Sequence, residues 1–553
     1  MKILGINSAL EWDPADVGNN ARGHDAGATL FVDGKHVLST DEERHSRIKY
    51  DGRFPKGSID YCLGDIPKED IDIVCYVPSC IKFCHEQTAS GQAYNFLQGM
   101  FPNAKIWYVG HHLCHAASAV FTAPFNSGSF LTLDGVGSGV WNFASAQVIT
   151  NENNGIGYFD KNKREFRFFR LNSHTGMNSL GEMFGFYSSN IYDEKINGVK
   201  PIPNNPNPIL FQVEGKVMGL SAYGDVNVNT GVPYCKSTEY SKETMGVDKF
   251  LFGEPSVSYY NYDMVCSQLK GTPEDKAAFL QHHYEGALTY LIKELREDYL
   301  TEDVCFAGGC FLNVCANTLL QPYFRNIHIP PWPNDSGVHF GAAVYASYKC
   351  KETIEIPNNI ALLGKSYEDY VPMEKNCEHF EDFDLLCEIV AKAIDENKII
   401  GWFQGRSEHG PRALGSRSIL MSPKRAENKD ILNERVKHRE YWRPFAGVIL
   451  EEYVGEYFLE AFDTPYMLFA QHSITDRLPA ITHEDKTCRI QTVNDELNSK
   501  LCQLLRKFED PVLLNTSFND NGEPIVETPD DAIEAFKKMD LDYLVIGNYL
   551  LWK

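Results

Sequence analysis

The sequence predicts an α/β protein of more than one folded unit. A strand running into a polar or glycine-rich turn occurs three times in the first 340 residues, from Lys2, Ser129 and Val304. At 553 residues the chain exceeds what one core usually organises. With 43% hydrophobic and 23% charged residues, it has the usage of a folded globular protein. A strand, a glycine turn and a helix start form a common phosphate or nucleotide cradle, so the repetition suggests a nucleotide-binding architecture of two related halves.

The first strand is Lys2–Asn7, and Ala28–Val32 is a second apolar run. Asp33-Gly34 is a hairpin signal leading into His36–Ser39. The segment Glu11–Gly23 is rich in Gly, Asn and Asp, predicting a loop directly before His24-Asp25. An imidazole at such a junction can meet a substrate and titrate near neutrality, which makes His24 a candidate general base.

The Ala-rich stretch from Gly110 to Ser118 (GHHLCHAAS) predicts a helix, and the four-residue spacing puts His111 and His115 on one face. Asp134, in LTLDGVG, and Asp335, in PPWPNDSGVHFGAA, each precede a small residue. Alone, such an Asp is more often an Asx turn or a helix cap. Together with the two histidines they would make a His2Asp2 set suited to Fe(II), Mn(II) or Zn(II), and the sequence does not choose among these metals. Gly135, Gly137, Gly308 and Gly309, with Asn313 after them, would let backbone amides approach an anionic nucleotide or adenylate.

Residues 350–384 are charged and poorly periodic, whereas helical spacing returns over Leu385–Ile400 before a strand at Ile399–Phe403. This places a first domain at 1–355, a linker at 356–384 and a second domain at 385–553. Within 401–450, ten Lys or Arg face five acids, a local net charge of +5 in a chain of −23. Arg412 and Arg417 lie beside Gly410, Pro411 and Gly415, where a tight backbone can aim guanidinium groups at phosphates. The alternating charges of Ala426–Arg439 read instead as a solvated helix face. Farther on, Arg489 and Gln491 share one side of a short strand, and Asn515, Thr516, Ser517 and Asn519 end another with uncharged hydrogen-bonding groups.

The acidic balance argues against nucleic acid and anionic membranes as partners. Fifteen scattered cysteines suit reduced thiols better than a disulfide framework. The N-terminus MKILGINSAL lacks the apolar region of a signal peptide, so a cytoplasmic protein is expected.

In order along the chain, LGIN (4–7), HDAGATL (24–30), DEERHSRIK (41–49), HHLCHAASA (111–119), LTLDGVG (131–137), KVMGLSAYG (216–224), AGGCFLN (307–313), GPRALGSRSIL (410–420), RPFA (443–446) and LLNTSFN (513–519) resemble the O-carbamoyltransferase family of natural-product biosynthesis. Its members are of the nodulation-factor, tobramycin and novobiocin type. The resemblance implies an N-terminal domain of the actin-like ATPase (ASKHA) fold, similar to the tRNA threonylcarbamoyl-transfer protein. It implies a C-terminal α/β YrdC-like domain, similar to the enzyme that makes threonylcarbamoyl-adenylate. The second domain would form carbamoyl-adenylate from carbamoyl phosphate and ATP with Mg, and the first would carbamoylate a hydroxyl of a small-molecule acceptor.

The same resemblance assigns His111, His115, Asp134 and Asp335 to a metal, iron being the one associated with that site. It makes His24 the general base and places Lys49 near the carbamoyl-adenylate. In the second domain Arg412, Arg417, Lys437, Arg443 and Arg489 would hold ATP and carbamoyl phosphate, with Asn515 and Ser517 orienting the carbamoyl group or ribose. It is compatible with a homodimer. Two departures stand out: the Glu11–Gly23 insertion, which resembles the aminocoumarin-type enzymes, and Cys114 where Ala is expected.

Two other readings remain open at this stage. A small-molecule kinase or ATPase on the actin-like fold leaves 385–553 unexplained. A tRNA-directed carbamoyl-transfer protein is disfavoured by the −23 charge. The hydrogenase-maturation carbamoyltransferase would bring an acylphosphatase unit and Cys-rich zinc motifs, and neither pattern occurs here.

Overall fold

A computed structural model describes residues 1–8, 24–78, 87–135, 139–142, 147–173, 180–198, 213–229 and 269–553. The insertion Glu11–Gly23 and the candidate Gly137 lie outside the described residues. The chain forms two compact units, Met1–Val37 with Gly52–Glu355, and Leu38–Asp51 with Ile356–Lys553.

The first sheet holds β1 (Lys2–Ser8), β2 (Gly27–Val32), β3 (Lys35–Asp41), β4 (Ile73–Pro78) and β5 (Lys105–Tyr108), in the order β3-β2-β1-β4-β5. β1 is antiparallel to β2 and parallel to β4, and β4 is parallel to β5. The predicted hairpin is present: Asp33 (φ 50°) and Gly34 (φ 79°) are both left-handed, as a two-residue turn matched to strand twist requires.

The second sheet repeats this plan. It contains β6 (Ser127–Leu133), β7 (Gly139–Asn142), β8 (Gln147–Asp160), β9 (Glu165–Ser173), β10 (Asp303–Ala307) and β11 (Asn326–His328). Here β6 is antiparallel to β8 and parallel to β10, β10 is parallel to β11, and β9 returns beside β8. The order β9-β8-β6-β10-β11 therefore matches β3-β2-β1-β4-β5, with β7 added along the extension of β8. Each repeat ends in a helix, His111–Thr122 after β5 and Val338–Lys349 after β11. Two halves of one topology are what the glycine turns suggested, and they are the plan of the actin-like fold implied by the family resemblance.

Small residues bring those two helices together. A Cβ on Gly341 would fall 1.9 Å from the Cys114 carbonyl oxygen, and one on Gly5 would fall 2.1 Å from that of His339. Beneath the first helix, Ala116, Ala119 and Val120 pack with Phe130, Cys305 and Ala307. Among the described residues no helix is long and apolar enough to cross a membrane.

The second unit is built on a nine-stranded sheet: β12 (Cys377–His379), β13 (Ile400–Phe403), β14 (Arg417–Met421), β15 (Ala446–Leu450), β16 (Ala470–His472), β17 (Thr487–Val493), β18 (Val512–Ser517), β19 (Tyr543–Ile546) and β20 (Tyr549–Trp552). Their order is β12-β20-β19-β13-β14-β18-β15-β17-β16. The two-residue alternation of strands sends Ile419, Met421 and Leu514 to one core and Trp402, Leu420 and Leu513 to the other. Helix Pro529–Lys538 covers the first face through Ala532, Ile533 and Phe536. Helices Phe383–Asp395 and Asp495–Leu505 cover the second through Leu386, Val390, Leu501 and Leu505.

Three details differ from the sequence-based expectations. Residues 356–384, expected as a linker, contain β12, which pairs antiparallel with β20. Leu38–Asp51 belongs with the second unit, where Arg44 donates to Gly410 O at 3.2 Å and Arg47 to Pro524 O and Ile525 O at 2.9 and 2.8 Å. The charged stretch expected as a solvated helix is helical only over Glu427–Leu432. It then widens into a π turn, Asn433–Lys437, closed by left-handed His438. That extra residue per turn rotates Lys437 inward, where it is buried.

Candidate functional site

In the first unit, the starts of the two terminal helices and the end of β6 bring four predicted ligands together. Helix spacing puts His111 and His115 on one face, their rings edge to face and their Nε2 atoms 3.0 Å apart. Asp134 Oδ2 lies 3.1 Å from His111 Nε2 and 3.0 Å from His115 Nε2. Asp335 Oδ1 lies 3.3 and 3.5 Å from the same nitrogens. A metal with bonds of about 2.1 Å has ligand separations of about 3.0 Å in an octahedron and about 3.4 Å in a tetrahedron. The four side chains thus fit a divalent cation, and three of them are buried, with Asp134 nearly so.

The surrounding groups orient these ligands. Asp134 Oδ1 accepts from the amides of Gly135 (2.8 Å) and Gly309 (3.1 Å), leaving Oδ2 to face the histidines. Gly308 must be glycine: its φ is 102°, and a Cβ would lie 2.0 Å from Leu133 O. The glycines expected to cradle a nucleotide here hold a ligand carboxylate. Asn313 is likewise engaged, capping helix Val314–Thr318 through Ala316 N at 3.1 Å and exchanging amide hydrogen bonds with Gln281 at 3.0 Å.

His24 stands at the rim, its side chain 45% exposed. Its Nδ1 is 3.1 Å from Asp25 Oδ2 and 3.9 Å from Asp335 Oδ2. Burial works against charge on this ring, but Asp335 and Asp25 more than offset it and push its pKa up to about 10. A dication on the same carboxylates would cancel much of that field and return the imidazole toward its ordinary range. His111 is raised for the same reason, by Asp335 and Asp134 against burial, while Asp134 and Asp335 are held well below the usual carboxylate range despite their burial by the adjoining histidines.

The second unit gathers cations. Lys437 Nζ donates to Ser517 O (2.9 Å), Asn519 O (2.7 Å) and Asn519 Oδ1 (2.9 Å). Burial first, then Arg439, Arg443 and Lys49, hold its pKa well below the ordinary lysine value. Burial and Arg443 act the same way on Arg412, and burial, Arg443 and Arg412 on Arg439. Arg412 Nε is buried with no hydrogen-bond partner among the described residues. Lys437 is buried and the three arginines are half-buried, and mutually repelling cations so placed form a site that an oligophosphate would neutralise.

This arrangement sorts the predicted residues. Arg412, Lys437 and Arg443 come together, and Lys49 joins them in the second unit, paired with Glu43 Oε1 at 3.3 Å. Arg439 was not singled out by the sequence reading, although its spacing from Arg443, four residues on, was available. Arg417 differs from expectation: its guanidinium donates to Gln404 O, Gly405 O, Ser416 O and Glu527 O and stacks 3.6 Å from the Phe403 ring centroid. It braces the paired ends of β13 and β14, in the middle of the sheet, from within. Asn515 Nδ2 donates to Gln491 Oε1 (3.2 Å) and Ala413 O (3.4 Å), supporting the loop that carries Arg412. Ser517 Oγ donates to Asn519 Oδ1 at 2.5 Å, and Arg489 lies on β17 opposite Ala470.

Comparison with known proteins adds the following. Residues 97–344 match the family model for the carbamoyltransferase N-terminus, and 391–553 match that for the carbamoyltransferase C-terminus. An uncharacterized protein of Synechocystis is 31% identical over 97% of this chain and 96% of its own length. The nodulation protein NolNO of Sinorhizobium fredii is 30% identical over 100% of this chain and 83% of its own. Among solved structures, HypF of T. kodakarensis aligns with a TM-score of 0.38 at 12% identity, over 63% of this chain and 48% of its own.

Proposed function

Because the chain belongs to the carbamoyltransferase family, we propose that it is an ATP-dependent O-carbamoyltransferase working in two half-reactions. The second unit would form carbamoyl-adenylate from carbamoyl phosphate and ATP, and the first would pass the carbamoyl group to a hydroxyl of a small-molecule acceptor. The observation that carries this reading is the convergence of His111, His115, Asp134 and Asp335 beside His24.

In the first half-reaction, carbamoyl phosphate, water and ATP give carbamoyl-adenylate, phosphate and pyrophosphate. Water displaces phosphate from carbamoyl phosphate to leave carbamate; a carbamate oxygen then bonds the α-phosphorus as the bond between the α-phosphorus and the bridging oxygen breaks, and pyrophosphate leaves with the bonding electrons. Arg412, Lys437, Arg439 and Arg443 stabilise the charge that builds on the departing phosphates, as preorganised cations in a water-poor site do.

In the second half-reaction the acceptor oxygen attacks the carbamoyl carbon and AMP leaves with the bonding electrons. His24 donates its Nδ1 hydrogen to Asp25, which leaves Nε2 to take the hydroxyl proton. A divalent cation held by His111, His115, Asp134 and Asp335, Fe(II) by family resemblance with Mn(II) or Zn(II) suited to the same donors, would supply Lewis-acid stabilisation of developing negative charge. AMP is a good leaving group, so no protein nucleophile is needed.

The test is to incubate the purified protein with ATP and carbamoyl phosphate and look for pyrophosphate and carbamoyl-adenylate. Formation of both is expected, and ATP consumption that does not depend on carbamoyl phosphate would sink the reading.

A further inference from the structure

The loop that presents Arg412 is wound around one carboxylate. Glu408 is 3% exposed, and its Oε1 accepts from three backbone amides, Leu414 at 2.8 Å, Ser416 at 2.7 Å and Arg417 at 3.0 Å. Gly410 (φ 100°) and Gly415 (φ 94°) supply the left-handed turns that let amides so close in sequence converge on one oxygen. The other oxygen, Oε2, is buried with no hydrogen-bond partner among the described residues.

No cation pairs with Glu408 among the described ion pairs, so main-chain dipoles carry the compensation of this buried charge. Arg412 projects from the middle of the same loop into like charge, with Arg443 repelling it. A loop holding a guanidinium against repulsion in the absence of an anion needs an anchor at its base. Asn515 and Gln491 contribute by binding Ala413 O and Leu414 O, at 3.4 and 2.9 Å. Among the described residues Glu408 alone accepts from three of the loop's amides, while Gly415 N donates to Ser418 Oγ at 3.1 Å.

We propose that Glu408 is the positioning residue of this anion site, holding the Gly410–Arg417 loop so that Arg412 is preorganised for phosphate. The inference rests on the reading of the second unit as the site of carbamoyl-adenylate formation. Glu408 touches no substrate in this account and acts through the three amides.

The experiment compares wild type, Glu408→Ala and Glu408→Gln in the full chain, by carbamoyl-phosphate-dependent ATP–pyrophosphate exchange and by calorimetry with pyrophosphate alone. Glu408→Ala is expected to raise KM for ATP and weaken pyrophosphate binding by about tenfold or more, with a smaller loss in kcat. Glu408→Gln keeps an acceptor oxygen in place and should recover most of that affinity. Loss of kcat with unchanged KM and unchanged pyrophosphate affinity in both variants would overturn the proposal. If Glu408→Ala does not fold, the Gln variant decides alone: pyrophosphate affinity more than about tenfold below wild type would mean that the acceptor oxygen is not what positions the loop. If wild type shows no exchange yet binds pyrophosphate and Glu408→Ala weakens that binding, the adenylate reading falls and the positioning role stands.

Discussion

The Nε2 atoms of His111 and His115 face each other across 3.0 Å, with Asp134 Oδ2 3.1 and 3.0 Å from them. Two imidazole nitrogens at that distance must share a proton or a cation, since two lone pairs or two N–H groups would repel. The backbone amides on Asp134 Oδ1 and the edge-to-face contact of the two rings on one helix face, 4.6 Å between centroids, fix this geometry before any ion arrives.

The full-length protein should therefore hold about one equivalent of a divalent first-row metal, measured by elemental analysis after dialysis. His111→Ala should lose that metal and carbamoyl transfer while still forming carbamoyl-adenylate. Loss of both half-reactions in a folded variant would show that the two steps are not divided between the units as described.

Arg412→Met should abolish adenylate formation without lowering stability. Its buried Nε has no hydrogen-bond partner to lose among the described residues, and removing it relieves repulsion with Arg443. A thermal midpoint equal to or above wild type, with exchange reduced at least about a hundredfold, is expected.

Anion binding should be linked to proton uptake. The folded-state pKa of Lys437 is depressed, so at alkaline pH below the ordinary lysine value the folded protein holds fewer protons there than the unfolded chain, and stability rises with pH through that window. Pyrophosphate favours the charged amine and raises its pKa, so protons should be taken up on binding. Calorimetry in two buffers of different ionisation enthalpy measures this, and Lys437→Met should eliminate it.

Lys49 provides a test of the unit boundary. It sits with the second unit and acts electrostatically on Lys437. Lys49→Ala should weaken pyrophosphate binding, by roughly three- to tenfold for one partly exposed cation. Intact pyrophosphate binding with impaired transfer would return Lys49 to the place near the carbamoyl-adenylate implied by the family resemblance.

Gly341→Ala should loosen the metal centre from a distance. The added methyl would meet the Cys114 carbonyl at 1.9 Å, so the helix bearing the histidines must move from the helix that follows Asp335. A loss of about 2 kcal/mol or more in stability and a weakened metal affinity are expected, with exchange in the second unit retained.

Local rules made part of this site readable in the sequence. The four-residue spacing of His111 and His115 fixes their common face whatever the tertiary structure, and Asp33-Gly34 dictates its own hairpin. Asp134 and Asp335 are different, because 201 positions separate them and only the repeated sheet topology brings their carboxylates to one point. Family resemblance supplied that pairing. Arg439 was hidden by a charge pattern that suits an exposed helix, since a π turn is not visible in residue spacing. Arg417 misled for the opposite reason: its glycine-rich surroundings suit a phosphate loop, yet pairing of β13 with β14 places it among carbonyl oxygens. Glu408 left one trace, as an acid two residues before the Gly410 turn in a basic segment.

The matching strand order of the two sheets in the first unit also bears on how such a centre can change. His24 enters between the first and second strands of one copy, and Asp134 follows the first strand of the other. The histidine pair opens the last helix of one copy, and Asp335 precedes the last helix of the other. On the proposed reading, corresponding places in a duplicated scaffold do different work, one contributing the proton acceptor and the other a ligand. On the same reading, a change in the connection before His24 would reach the acceptor side of the centre while leaving Asp134, in the matching connection of the other copy, in place.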